Sequence, residues 1–165
     1  MSKISFRALV DNYSAAVMNT AIRILRDSQR AQDVHQEVFL SMLRRWHKYN
    51  SDVNWGAYLY RVTVRKALEL AKQVEMRPLT ENQHSPRTQE RPDGRLRTAE
   101  LQERLVACLT RLPKQQADVF VFARIEGLRY EKIAELMDCS QETARVHLHR
   151  ALKRLAREFR DYLDE

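Results

Sequence analysis

Three of the four prolines in this 165-residue chain, and one of its three glycines, fall between Pro78 and Gly94. That clustering constrains the fold more than any single motif. Met76 to Thr98, MRPLTENQHSPRTQERPDGRLRT, holds almost no apolar side chains. Such a segment cannot bury enough surface to offset its ordering entropy, so a flexible linker is predicted over residues 76–98. It divides the chain into residues 1–75 and 99–165, each of roughly 70 residues and small for an independent domain.

Both flanking blocks show helical periodicity, and no strand-like alternation stands out. In the first, Phe6, Leu9, Val10, Tyr13, Val17, Ala21, Ile24 and Leu25 form one stripe and predict a helix from about Ser5 to Arg26. Ala31, Val34, Val38, Phe39, Met42 and Trp46 predict a second from about Ser28 to Tyr49. A third, with Leu59, Val62 and Leu70, is expected from about Ala57 to Val74, after the polar loop Asn50–Asn54. The second block opens with a helix through Leu101, Leu105, Cys108, Leu109 and Leu112, stopped near Pro113, and a short helix follows to about Glu126. The fold class is all-α: two small helical domains, a three-helix bundle and a helix-turn-helix domain, joined by the linker.

The helix-turn-helix expectation rests on Gly127 to Leu155, GLRYEKIAELMDCSQETARVHLHRALKRL. Ile133, Ala134, Leu136 and Met137 give a short helix its apolar face. Asp138-Cys139-Ser140 breaks the pattern, and the Ser140 hydroxyl can cap a new helix. Ala144, Leu148, Ala151, Leu155, Phe159 and Tyr162 then recur every three or four residues. Arg145, His147, His149, Arg150, Lys153, Arg154 and Arg157 fall largely off that stripe. A short helix propping a cationic one suits the DNA major groove. A basic amphipathic helix is also a common solvated face, and helix pairs with short turns occur in any bundle.

Formal net charge is +7 and the isoelectric point is near 9.7, which favours a polyanionic partner. Residues 1–75 carry a positive excess, whereas residues 99–165 balance overall but collect cations between Arg145 and Arg160. The second block is therefore polarised, as an oriented docking surface is. Cys108 and Cys139 are predicted to be reduced thiols of a cytosolic protein. No metal-ligand spacing, membrane span, signal peptide or cofactor motif is present, and nothing suggests a catalytic acid–base pair or nucleophile.

Several motifs, in order along the chain, resemble bacterial RNA polymerase sigma factors of the extracytoplasmic-function group, which keep only conserved regions two and four. Arg26-Asp27 followed by Ala31-Gln32-Asp33-Val34-His35-Gln36-Glu37-Val38-Phe39 is similar to the family's second helix. Tyr58-Leu59-Tyr60-Arg61-Val62 resembles its promoter-reading third helix. Leu112-Pro113 with Ala117, Val119 and Phe120, then Glu126-Gly127-Leu128, resembles the start of region four, and Thr143-Ala144-Arg145 with His149-Arg150-Ala151 resembles its recognition helix.

The resemblance implies three working surfaces. Asp33, Gln36, Glu37 and Leu40 would dock on core RNA polymerase. Tyr49, Asn50, Asp52, Asn54, Trp55, Tyr58, Arg61, Arg65 and Lys66 would engage the opened minus-ten element, where single-stranded bases need rings to stack on and cations for the backbone. The bland alternative is that Trp55 and Tyr58 are core. Arg145, Val146, His149 and Arg150 would approach bases of the minus-thirty-five element, with Gln141, Thr143, Lys153 and Arg154 on phosphates. Three positions depart from the family pattern: Tyr58 for a common Trp, Arg65 for a common Asn and Glu142 for a frequent Gly.

These features together imply a cytoplasmic sigma factor without catalysis or cofactor, partnered by core polymerase, promoter DNA and an anti-sigma protein. The rival from another class is a free-standing helix-turn-helix regulator whose first block dimerises or senses a ligand.

Overall fold

The computed structural model describes residues 4–49, 53–76 and 93–163. The first block is three helices, each started by a side-chain cap. Ser5 accepts a hydrogen bond from the Ala8 N–H at 3.1 Å and opens α1, Phe6–Leu25. Arg26 ends it in the left-handed region (φ 52°), its N–H returning to the Ile22 carbonyl. The Asp27 carboxylate takes the Gln29 and Arg30 N–H groups at 3.0 and 3.1 Å and opens α2, Ser28–Arg44. Asn54 caps α3, Trp55–Met76, through Ala57 N–H at 3.1 Å. Such caps satisfy amides that the first helical turn leaves without partners.

The second helix was expected to run to Tyr49. Instead it tightens at Trp46–Lys48 into a 3₁₀ turn. The tighter turn carries the Trp46 ring onto Phe6 and Trp55, at centroid distances of 5.2 and 5.3 Å.

In the second block, α4 spans Asp93–Arg111 and α5 spans Lys114–Phe120. The helical path widens into a π turn over Val121–Ile125 before Gly127 leaves it with φ +67°, a conformation that costs a residue without Cβ little. Then come α6, Tyr130–Met137, and α7, Gln141–Leu163. The sequence assigned residues 76–98 to a linker. Met76 belongs to α3, and α4 reaches back to Asp93, so residues 93–98 are helical. Pro92 and Asp93 suit a helix N-terminus, and the Arg and Leu that follow are good helix formers. The remainder of that linker, residues 77–92, lies outside the described residues.

Every third or fourth residue points inward. Leu9, Val17, Ala21 and Ile24 of α1 meet Val34, Val38 and Met42 of α2 and Leu59, Val64 and Ala67 of α3, all at most 3% exposed. In the second block Leu109, Val119, Phe122, Ile133, Leu136, Leu148 and Ala151 are as deeply buried. Each large aliphatic side chain buried this way contributes about 1.5–3 kcal/mol. Leu101, placed on the apolar stripe by its spacing, is 47% exposed. The two blocks do not stand apart. Helix α3 packs against α4, α5 and α6 as well as α1 and α2, and one continuous apolar cluster runs through both.

Candidate nucleic-acid interface

Helix α2 exposes Asp33, Gln36 and Leu40, with Glu37 at the margin. Their spacing puts them on one side of the helix. Leu40 and Leu43 are 44% and 50% exposed, large apolar side chains beside acids and an amide. Leu43 was not foreseen, although it lies three residues beyond Leu40, the step that keeps it on the same side.

The predicted minus-ten residues meet at the start of α3. Trp46, Tyr49, Trp55 and Tyr58 form one cluster of rings. Trp46 stacks on Trp55, and Tyr49 meets Trp55 and Tyr58 edge-on at 5.3 and 5.5 Å. The Tyr49 and Tyr58 hydroxyls lie 2.6 Å apart. Burial, with that hydrogen bond, pushes the Tyr49 hydroxyl up to about 12. Trp55 and Tyr58 are half-buried members of this cluster. Asn54 is occupied as the α3 cap, and its amide reaches the Glu135 carboxylate at 3.5 Å. Asn50 and Asp52 lie outside the described residues.

The cations of α3 diverge. Lys66 turns toward α2, 3.7 Å from Glu37 and 3.4 Å from Glu69, and so ties the minus-ten candidates to the docking patch. Arg65 turns the other way, 3.4 Å from Asp118. The Asp118 side chain is only 1% exposed, and its Oδ1 has no hydrogen-bond partner among the described residues. Burial outweighs the neighbouring Arg65, Arg61 and Lys114 and raises this carboxyl to about 6. Arg61 is half-buried beside it.

The predicted minus-thirty-five residues are arranged differently. Asp138 takes a left-handed conformation (φ 51°) in the turn, and Ser140 accepts the Thr143 N–H at 3.0 Å. Ala144, Leu148, Ala151 and Leu155 bury one side of α7. Thr143, Arg145, Val146, His149, Arg150, Lys153 and Arg154 are exposed, with Gln141 half-exposed at the N-terminus. Arg145 lies over the Tyr130 ring, 4.9 Å from its centroid, a favourable cation–π placement. Arg150, Lys153 and Arg154 make no ion pair among the described residues and line a groove of about 450 Å³ with Arg111, Leu112, Arg157 and Glu158. Arg111 is paired there with Glu158 at 3.3 Å. Glu142 shares the exposed first turn of α7, where its charge suits the helix N-terminus.

The remaining functional groups are quiet. Cys108 and Cys139 are free thiols, and burial raises Cys108 to about 11, which keeps it protonated and unreactive. Among the described residues no group of His, Cys, Asp and Glu could hold a metal ion, and no helix is long and apolar enough to cross a membrane.

Both blocks match families of known proteins. Residues 9–75 match the family described as sigma-70 region 2, and residues 102–155 match sigma-70 region 4. The chain belongs to the extracytoplasmic-function sigma factors. The sigma factor is 26% identical to the RNA polymerase sigma-H factor of Pseudomonas aeruginosa, over 99% of this chain and 90% of that protein. It is 25% identical to the ECF RNA polymerase sigma-E factor of Escherichia coli K12, over 89% and 82% of the two chains. Against the RNA polymerase sigma factor CarQ of Myxococcus xanthus the identity is 24%, over 92% and 87%. Its fold is similar to that of CnrH, solved with the cytosolic domain of CnrY, with a TM-score of 0.52 and 19% identity over 94% of this chain and 88% of that one. As a sigma factor it serves promoter-specific transcription initiation.

Proposed function

We infer that the three faces divide the work of a sigma factor as follows. Asp33, Gln36, Glu37 and Leu40, extended by Leu43, dock on core RNA polymerase. The ring cluster at the start of α3, with Arg61, Arg65 and Lys66, captures the opened minus-ten strand. Helix α7 enters the major groove of the minus-thirty-five element, with Arg145, Val146, His149 and Arg150 toward bases and Gln141, Thr143, Lys153 and Arg154 toward phosphates. Residues 1–75 and 99–165 act as the two promoter-reading domains, and the chain between them spans the distance separating the elements. The sigma factor has no catalytic chemistry of its own, works in the cytoplasm beside the polymerase and is held in check by an anti-sigma protein that masks the docking surfaces.

The observation that carries this reading is the outward row of cations on α7. They are solvent-exposed, and Arg150, Lys153 and Arg154 make no ion pair among the described residues. A protein-binding helical adaptor would leave such a row without purpose. Phosphate neutralisation gives it one.

Purified core polymerase tests the reading. Adding this chain should direct transcripts to defined start sites. The paired change Asp33→Lys and Glu37→Lys should abolish polymerase binding while lowering stability by less than about 1 kcal/mol, because both sites are at the surface. Unchanged polymerase affinity would remove this patch from the docking surface. A chain that binds an operator as a dimer and ignores polymerase would establish the rival regulator.

A further inference from the structure

Arg145 and Arg150 are the two arginines of α7 assigned above to bases, and their surroundings differ. Arg150 stands in a groove with Arg111, Lys153, Arg154 and Arg157. Arg145 lies over the ring of Tyr130, 4.9 Å from its centroid. Tyr130 is the first residue of α6, so this contact joins the two helices of the helix-turn-helix across their turn. Among the described residues Arg145 makes no ion pair and no hydrogen bond, and no ring lies under Arg150.

Both ends of the contact stand on fixed ground. Tyr130 is half-buried and packed against the core. Ile133 and Leu136 anchor α6, and Ala144, the neighbour of Arg145, is fully buried. The left-handed Asp138 and the Ser140 cap define the turn between the helices. The ring therefore keeps its place relative to the backbone that carries Arg145. The Tyr130 hydroxyl makes no hydrogen bond among the described residues, so the ring face alone serves the contact.

An exposed arginine samples many rotamers, and a bidentate bond to the edge of guanine freezes them. A ring beneath the guanidinium removes part of that cost in advance, because its quadrupole attracts the cation without occupying the N–H donors. A carboxylate in the same place would also hold the guanidinium, but it would take the donors that guanine needs. We propose that Tyr130 is a positioning residue for base recognition. It presets the Arg145 guanidinium for a guanine of the minus-thirty-five element, and one base pair of that element is thereby read with help from the supporting helix. This rests on the assignment of α7 to that element.

The test uses holoenzyme formed from core RNA polymerase and the full chain. Initiation is measured on a promoter it uses, with each base pair of the minus-thirty-five element changed in turn. Arg145→Ala locates the pair that Arg145 reads, as the one whose substitution ceases to matter, and Arg150→Ala locates a second. Tyr130→Leu removes the ring face and keeps apolar bulk. Tyr130→Met does so with a more adaptable side chain, should the leucine variant lose helical content. Tyr130→Phe keeps the ring and removes the hydroxyl.

Tyr130→Leu should cut discrimination at the Arg145 pair by about threefold to fivefold, the size of an exposed cation–π contact. Tyr130→Phe should discriminate as the parent does. The Arg150 pair should be read as before in every Tyr130 variant, and Tyr130→Leu should change nothing further in an Arg145→Ala background. Equal loss at all pairs, or a loss that persists without Arg145, would mean that the ring only props the helices, and would overturn the proposal. A loss in Tyr130→Phe as large as in Tyr130→Leu would assign the effect to the hydroxyl and overturn it too. So would undiminished discrimination in a folded Tyr130→Leu chain. Failure of the α7 assignment would look different and would remove the proposal with it: Arg145→Ala and Arg150→Ala would then alter discrimination at no pair of the element.

Discussion

The two regions proposed to face DNA solve opposite design problems. At the start of α3 the functional candidates are the packing: Trp55 and Tyr58 are half-buried in a ring cluster, Asn54 is a helix cap, and Arg65 and Lys66 are tied to acids. On α7 the packing residues and the functional residues alternate without overlap. Ala144, Leu148, Ala151 and Leu155 hold the helix down, and Arg145, His149, Arg150 and Lys153 project from it. A face that captures flipped or single-stranded bases needs preformed slots among rings, and such slots are also part of a core. A helix that lies in a groove needs only an outward row. Substitutions should therefore confound stability with function on α3 and separate them on α7.

The largest effect tests the first half of that contrast. Trp55→Ala should lower stability by about 2–4 kcal/mol, somewhat below the ~3–5 kcal/mol of a fully buried ring, because Trp55 keeps part of its surface in water. Urea unfolding measures it. A Trp55→Ala chain as stable as its parent would mean that the ring cluster is a surface ornament, and the contrast would fail.

Next in size is a pH effect at Asp118. Its folded-state carboxyl is raised to about 6 from an ordinary 3.8. The folded chain therefore holds this proton more tightly than the unfolded chain does. The stabilisation is present in full below about pH 4 and is lost as pH rises through about 6, at most about 2–3 kcal/mol at ~1.4 kcal/mol per pKa unit. Asp118→Asn should remove that slope from the difference between the two stability curves. A difference that is flat between pH 4 and 7 would mean that the aspartate is not desolvated as described.

The Ser140 cap and the apolar stripes were legible in the sequence because each depends on residues within a turn of one another. Ser140 before α7 and Leu148 within it could be placed from spacing alone. Glu126 could not. It reads as one more acid before a turn, and its partners Arg23 and Tyr60 come from helices about which the local sequence says nothing. The same holds for Asp118 and for Tyr130 beneath Arg145. The start of α4 was missed for a different reason. The low apolar content that predicts a linker also describes a solvated helix, and Pro92-Asp93 was the signal that distinguishes them.

The smallest stability effects, and the sharpest functional ones, belong to α7. Arg150→Ala should change stability by no more than about 0.5 kcal/mol. It should cost about 1–3 kcal/mol on the preferred minus-thirty-five duplex and blunt discrimination against base changes. Lys153→Ala should weaken binding to all duplexes about equally and reduce the salt dependence by roughly one phosphate contact. A panel of duplexes at several salt concentrations checks both. Sequence preference altered mainly by Lys153→Ala would show the helix to sit in the groove in another register, and loss of stability in either variant would erase the division between packing and reading.

Helix α3 also has a consequence for how the molecule melts. It is a wall common to two small cores, with Leu59, Val64 and Ala67 completing the N-terminal one and Tyr60 lying against Phe122 of the other. Neither core can lose α3 without exposing apolar surface of its neighbour. Two bodies individually near the lower limit of self-sufficiency thus share one cooperative transition while they are closed. Separation of the blocks divides that transition in two, and the thermal signature of the chain becomes a report on its conformation.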